Sequence, residues 1–171
     1  MVMRSLVFAV ATAALASQIP TLLKLTEPAK PDAPAQTTKA EPMQVSATPG
    51  SVVLRPDRRG HFNGSFRLNG KTVDGMVDTG ASLVAINETT ARKLGFGANR
   101  LDFRHVVNTA NGRTEAAYVV LDRVEIGGVR VRDVDAFVMR DKALSSTLIG
   151  MSFMKKLKSY RVENGSLKLM Q

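Results

Sequence analysis

The residues with the clearest chemical purpose sit in "GMVDTGAS", residues 75–82, where Asp78 occupies a glycine-bounded turn. The carboxylate follows the apolar pair Met76 and Val77, where a strand should end, and precedes Ala81, Ser82 and a renewed apolar run from Leu83 to Ile86. Asp, Thr and Gly are ordinary turn residues, and an Asp side chain readily bonds main chain two residues on, so a surface turn is the plain structural reading. A solvated turn has no need of apolar residues on both sides. That setting points instead to a carboxylate held at the edge of a core, where it could give or take a proton.

Composition removes several competing chemistries. The chain has 171 residues, 44% of them hydrophobic, enough for one globular domain with an appendage. It has no cysteine, which excludes disulfides, thiolate metal sites and a cysteine nucleophile. The histidines are only His61 and His105, without paired metal-ligand spacing, so no metal and no cofactor are expected. A Ser/His/Asp triad would have to recruit one of those two. Net charge is +9, and from Ser51 onward 20 Lys and Arg face 12 Asp and Glu, so the excess sits in the folded part. Such a surface favours anionic partners. Nucleic acid is not the expected one, since there is no Trp, only two Tyr, and no basic stretch interleaved with aromatics. An anionic membrane surface fits better.

The elements that must position Asp78 read as short alternating runs between glycine turns, the pattern of an all-β domain. "GHFNGSFRLNGKTVDGMVD" gives two strands joined at Asn69-Gly70, a strong hairpin signal. Asn87 can cap a short helix, "ETTARKL", ended by Gly95. "HVVNTANGRTEAAYVVL" folds back at Asn111-Gly112, and "DRVEIGGVRVRDVDAFVM" at Gly127-Gly128. A second short helix is expected over Met151 to Leu157, and a closing hairpin around Asn164-Gly165.

Two places share the form apolar, apolar, turn, then an apolar or helical segment: "MVDTGAS" and "TLIGMSF", with the "NTANG" hairpin between them. In this order and spacing the chain resembles the retropepsin-type aspartic proteases, and more closely their bacterial membrane-anchored branch with one catalytic domain per chain. The resemblance implies a retropepsin-like closed β-barrel with one or two short helices, active as a homodimer. It implies Asp78 as the catalytic carboxylate, Thr79 bracing its counterpart in the other subunit, and Gly80 letting main chain approach the carboxylates. Ala81 and Ser82 would border the substrate. Thr109, Ala110, Asn111 and Gly112 would form a flap tip closing over an extended protein or peptide substrate. Ile149 and Gly150 would lie behind Asp78.

The chemistry agrees. Hydrolysing a peptide without metal or covalent nucleophile takes one carboxylate to deprotonate water and a carboxylic acid to protonate the carbonyl oxygen. Two carboxyls about 3 Å apart cannot both ionise, so they share a proton and fill both roles. With one such turn per chain, the second Asp must come from a second copy. Two departures stand out: many cellular relatives carry Ser or Thr where this chain has Ala81, and viral ones often carry an acid and an Arg where it has Ser82 and Met151. A peptide-binding module of the same fold, without catalysis, is the alternative.

The N-terminal region reads separately. Ser5 to Leu23 carries no charge between Arg4 and Lys24, and "ALAS" (Ala14 to Ser17) offers a cleavage site. Residues 1–25 are therefore expected to be a signal peptide or a single transmembrane anchor. Residues 26–50, with five prolines and almost nothing large and apolar, are expected to form a disordered tether, and residues 51–171 the folded domain. The implied location is the bacterial inner membrane with a periplasm-facing domain, or the periplasm if the signal is cleaved.

Overall fold

The computed structural model describes residues 46–109 and 112–171. The expected export segment, the tether up to residue 45, and Ala110 and Asn111 of the expected flap tip lie outside the described residues. In chain order the elements are β1 (Ser46–Thr48), β2 (Ser51–Leu54), β3 (Phe62–Leu68), β4 (Lys71–Val77), β5 (Val84–Asn87) and α1 (Glu88–Lys93). A 3-10 turn at Ala98–Arg100 leads to β6 (His105–Thr109), β7 (Gly112–Ile126), β8 (Val129–Met139), β9 (Thr147–Ile149), α2 (Met151–Met154), β10 (Ser159–Glu163) and β11 (Ser166–Met170).

Alternation decides which face each strand buries. Val73 and Val77 of β4 point inward with Phe66 and Leu68 of β3, while Lys71, Thr72 and Asp74 face water. The β3–β4 hairpin closes on Asn69 (φ 46°) and Gly70 (φ 80°), the left-handed pair that a two-residue turn requires. Seven strands run in the order β3-β4-β9-β5-β8-β7-β6. β3 also pairs with β7, Arg67 opposite Glu125 and Leu68 opposite Val124, so six of the seven strands close into a ring. This is the closed all-β architecture that the sequence led us to expect. At the seam Glu125 meets three guanidinium groups, Arg67 at 3.4 Å, Arg123 at 3.2 Å and Arg130 at 2.5 Å. Inside the ring Phe66, Leu68, Ile86, Leu121, Ile149 and Phe153 are fully buried.

The second sheet, ordered β1-β2-β11-β10, joins both ends of the described chain. Val52 and Leu54 of β2 lie opposite Leu169 and Leu167 of β11, and all four are buried. β1 falls within the stretch read as tether. Three residues without apolar alternation carry no strand signal, and their strand exists because β2 offers an edge for Ser46 to Thr48 to pair with.

Both α-helices among the described residues are short. Asn87 caps α1 by accepting from the Thr90 N–H at 2.8 Å, and Gly95 (φ 96°) ends it. α2 stops at Met154 rather than Leu157: the N–H groups of Lys156 and Leu157 bond back only three residues, to Phe153 and Met154 at 3.1 Å. Beyond the end of α2 the Lys156 Nζ donates to the Asp133 carbonyl at 2.5 Å. Among the described residues no helix is long and apolar enough to cross a membrane.

Candidate active site

β4 delivers Asp78 by running parallel to β9, with Val77 opposite Ile149. One step beyond the last strand residue the ladder continues, since the Asp78 N–H donates to the Ile149 carbonyl at 3.0 Å. The chain then turns, and the Ala81 N–H closes the turn on the Asp78 carbonyl at 3.3 Å. Within it the Gly80 N–H donates to Asp78 Oδ1 at 2.8 Å, fixing one carboxylate oxygen and orienting the group. A Cβ on Gly80 would stand 3.2 Å from that same oxygen, so any larger residue would crowd the carboxylate and require it to shift by a few tenths of an ångström. Asp78 is half-buried, while Thr79 and Gly80 are exposed at the tip of the turn.

A second segment braces the turn from behind. The Met151 N–H donates to the Ala81 carbonyl at 2.8 Å and the Ser152 N–H to the Ser82 carbonyl at 3.0 Å. Gly150, buried between them, has the Leu83 and Ala81 carbonyl oxygens so close that a Cβ would lie 2.7 Å from the latter. Ile149 and Gly150 thus lie behind Asp78 as expected. Asp78, Thr79, Gly80, Ala81 and Ser82 form one continuous loop on this support, with Ala81 half-buried and Ser82 exposed.

Of the remaining expected residues, Thr109 ends β6 and Gly112 begins β7, while Ala110 and Asn111 lie outside the described residues. Thr109 pairs with Gly112, and its Oγ1 donates to the Gly112 carbonyl at 2.8 Å. β6 is the last strand in the order of its sheet among the described residues. Among the described residues no three His, Asp or Glu side chains converge to ligate a metal ion.

Ser152 is the residue that sequence reasoning passed over. Its buried Oγ accepts from the Val84 N–H at 2.9 Å and donates to the Asp135 carbonyl at 2.7 Å, tying the exit of the Asp78 turn to β8 through α2. The available signal was a lone small hydroxyl inside the apolar "LIGMSF". Asp135 in turn accepts from the Tyr118 hydroxyl at 2.5 Å. That hydrogen bond, with some burial and the negative charge itself, pushes the Tyr118 phenol up from its ordinary value.

An aspartyl protease family model matches residues 65–153, more than half of the chain and the whole of the Asp78 turn with its brace. An uncharacterized protein from Sinorhizobium sp is 37% identical over 118 residues, covering 69% of this chain and 51% of that protein. Another, from Rickettsia prowazekii (strain Madrid E), is 33% identical over 118 residues, covering 69% and 50%. The chain spans about half the length of these curated relatives. Among solved structures, a retropepsin-like aspartic protease from Rickettsia conorii superposes with a TM-score of 0.62 at 33% identity, over 74% of this chain and 94% of that one.

Proposed function

Because the chain belongs to the aspartyl protease family, we propose that it is an aspartic endopeptidase whose dyad is formed by the Asp78 carboxylates of two copies. The observation that carries this reading is the pinned carboxylate. Asp78 is held by the main chain on both sides, has Oδ1 fixed by the Gly80 N–H, and stands at the exposed end of its strand. One carboxylate takes a proton from water as its oxygen attacks the peptide carbonyl carbon, while the partner's carboxylic acid gives its proton to the carbonyl oxygen. As the diol collapses, the first carboxyl gives the leaving amine the proton it took from water, a diol hydroxyl gives its proton to the second carboxylate, and the C–N bond breaks. The pair is left with one shared proton again, which is why a symmetric dyad can turn over.

The exposure of Thr79 and Gly80 at the turn's tip supports a second copy as the source of the other carboxylate, since that tip has to meet its own image across a two-fold axis. The β6–β7 hairpin, with β6 at the end of the strand order among the described residues, fits the part of a flap that bonds an extended substrate as an added strand. We further read the uncharged run from Ser5 to Leu23 as the export segment, which would present the basic domain to an anionic membrane surface outside the cytoplasm.

The deciding experiment incubates the purified chain with a denatured protein and compares it with Asp78→Asn. Wild type should cut and the variant should not, while both unfold at the same temperature. Equal cleavage by the two would overturn the assignment.

A further inference from the structure

The register of the ring places a set of side chains on the same outward face as Asp78. Met76 lies two residues before it on β4 and pairs with Leu148 of β9; Leu148 pairs with Ala85 of β5, Ala85 with Phe137 of β8, and Phe137 with Tyr118 of β7. Paired residues share a face, so these five form one row running from the catalytic turn across the sheet. The first four are half-buried and Tyr118 is 46% exposed, although the row is apolar up to the Tyr118 hydroxyl. At its far end three rings gather: His105 is 5.6 Å from Phe137 and 6.2 Å from Tyr118, and Tyr118 meets Phe137 edge-on at 6.4 Å. Asp135 stands beside them, Oδ1 taken by the Tyr118 hydroxyl and its main chain anchored by Ser152.

We propose that Phe137, Tyr118, His105 and Asp135 form a subsite that selects a cationic side chain, arginine or lysine, of the peptide substrate; the proposal rests on the protease reading above. Ring faces attract a guanidinium or ammonium group, and the remaining oxygen of Asp135 supplies its counter-charge through a charge-assisted hydrogen bond. An aliphatic occupant would strip water from Asp135 and give nothing back. An acidic one would be repelled. Neighbouring strands lie about 4.8 Å apart, so the four steps from Met76 to Tyr118 span at most about 19 Å along the sheet. An extended chain advances about 3.3 Å per residue, which puts the selected side chain within about six residues of the bond that is cut.

The test uses the full chain carrying Asp78→Asn, so that binding is read without turnover. Fluorescein-labelled extended peptides carry either arginine or its neutral isostere citrulline, stepped through six positions on each side of the centre, and affinities come from polarisation. At one position arginine should bind about tenfold tighter than citrulline, a difference of about 1.4 kcal/mol. Adding Asp135→Asn should abolish that difference. Should that variant fail to fold, Tyr118→Ala truncates an exposed ring and should reduce the arginine preference at least threefold. Equal affinities at every position, no binding of either peptide, or a preference that survives both substitutions would overturn the subsite, as would a peptide-free dimer in which a second copy shields Tyr118 from modification. Cleavage that ignores arginine sinks this proposal alone, whereas a wild-type chain that cuts no better than Asp78→Asn sinks the protease reading.

Discussion

Ser152→Ala isolates the hydroxyl that couples the exit of the Asp78 turn to β8. The substitution removes one oxygen from a buried position and leaves the Val84 N–H, bonded at 2.9 Å in the native chain, facing the methyl group of an alanine. A buried donor left unsatisfied costs about 1–3 kcal/mol. The Asp135 carbonyl loses a donor at 2.7 Å as well, but it lies in the β7–β8 ladder opposite Val120, so its share is the smaller one. The expected loss is about 2 kcal/mol in urea unfolding with m unchanged, which for a domain of this size is a fall of roughly 8 °C in melting temperature. Cleavage by the folded fraction should match that of wild type, because Ser152 bonds Val84 and Asp135 main chain and touches no reacting atom. A loss under about 0.5 kcal/mol, the level of an ordinary surface change, would refute the reasoning.

Gly150→Ala forces a methyl group against the Ala81 and Leu83 carbonyls and must spread the brace behind Asp78, so soluble yield and cooperative unfolding should both drop, by about 1–3 kcal/mol or more; a melt like that of wild type would contradict the packing described. Dilution should lower specific activity, and Thr79→Val should shift the fall to higher protein concentration, as sedimentation run beside the assay would show; a monomer with full specific activity rules the shared dyad out. Acid stability follows from three carboxylates: Asp57 is held below its ordinary 3.8 by the His61 N–H, Asp141 below 3.8 by the Thr89 N–H, and Glu163 below 4.5 by Lys168. Their folded-state values are depressed, so their contributions are present above those ordinary values and disappear as pH falls through the depressed ones. Unfolding midpoints should therefore decline below about pH 4, and Asp141→Asn should flatten that decline.

Local chemistry was legible in the sequence wherever a few adjacent residues decide the outcome. Asn69-Gly70 and Asn164-Gly165 take left-handed turns, Asn87 caps its helix, and Asp78 sits in the turn that its apolar flanks implied. What stayed hidden depends on residues far apart in the chain. Nothing in "SVVL" says that it will lie against "SLKLM", because short apolar strands carry no address, and β1 exists only as a consequence of β2. Ser152 was hidden for the same reason, since its two partners, Val84 and Asp135, come from other strands. The outward row from Met76 to Tyr118 crosses five strands and becomes visible only through their register.

The placement of β11 between β2 and β10 bears on when the molecule becomes complete. β2 can pair with β1 early, but its other edge stays open until Ser166 to Met170 exist, since Ser51 pairs with Met170. Contacts this distant in sequence slow folding, because the whole intervening loop must be closed before they form. During synthesis the Asp78 turn and its brace at Ile149–Ser152 emerge before β11 does, yet the sheet that joins the two ends stays open. Without Ser166 to Met170, β2 and β10 would lack the strand that joins them, so the second sheet closes only through β11.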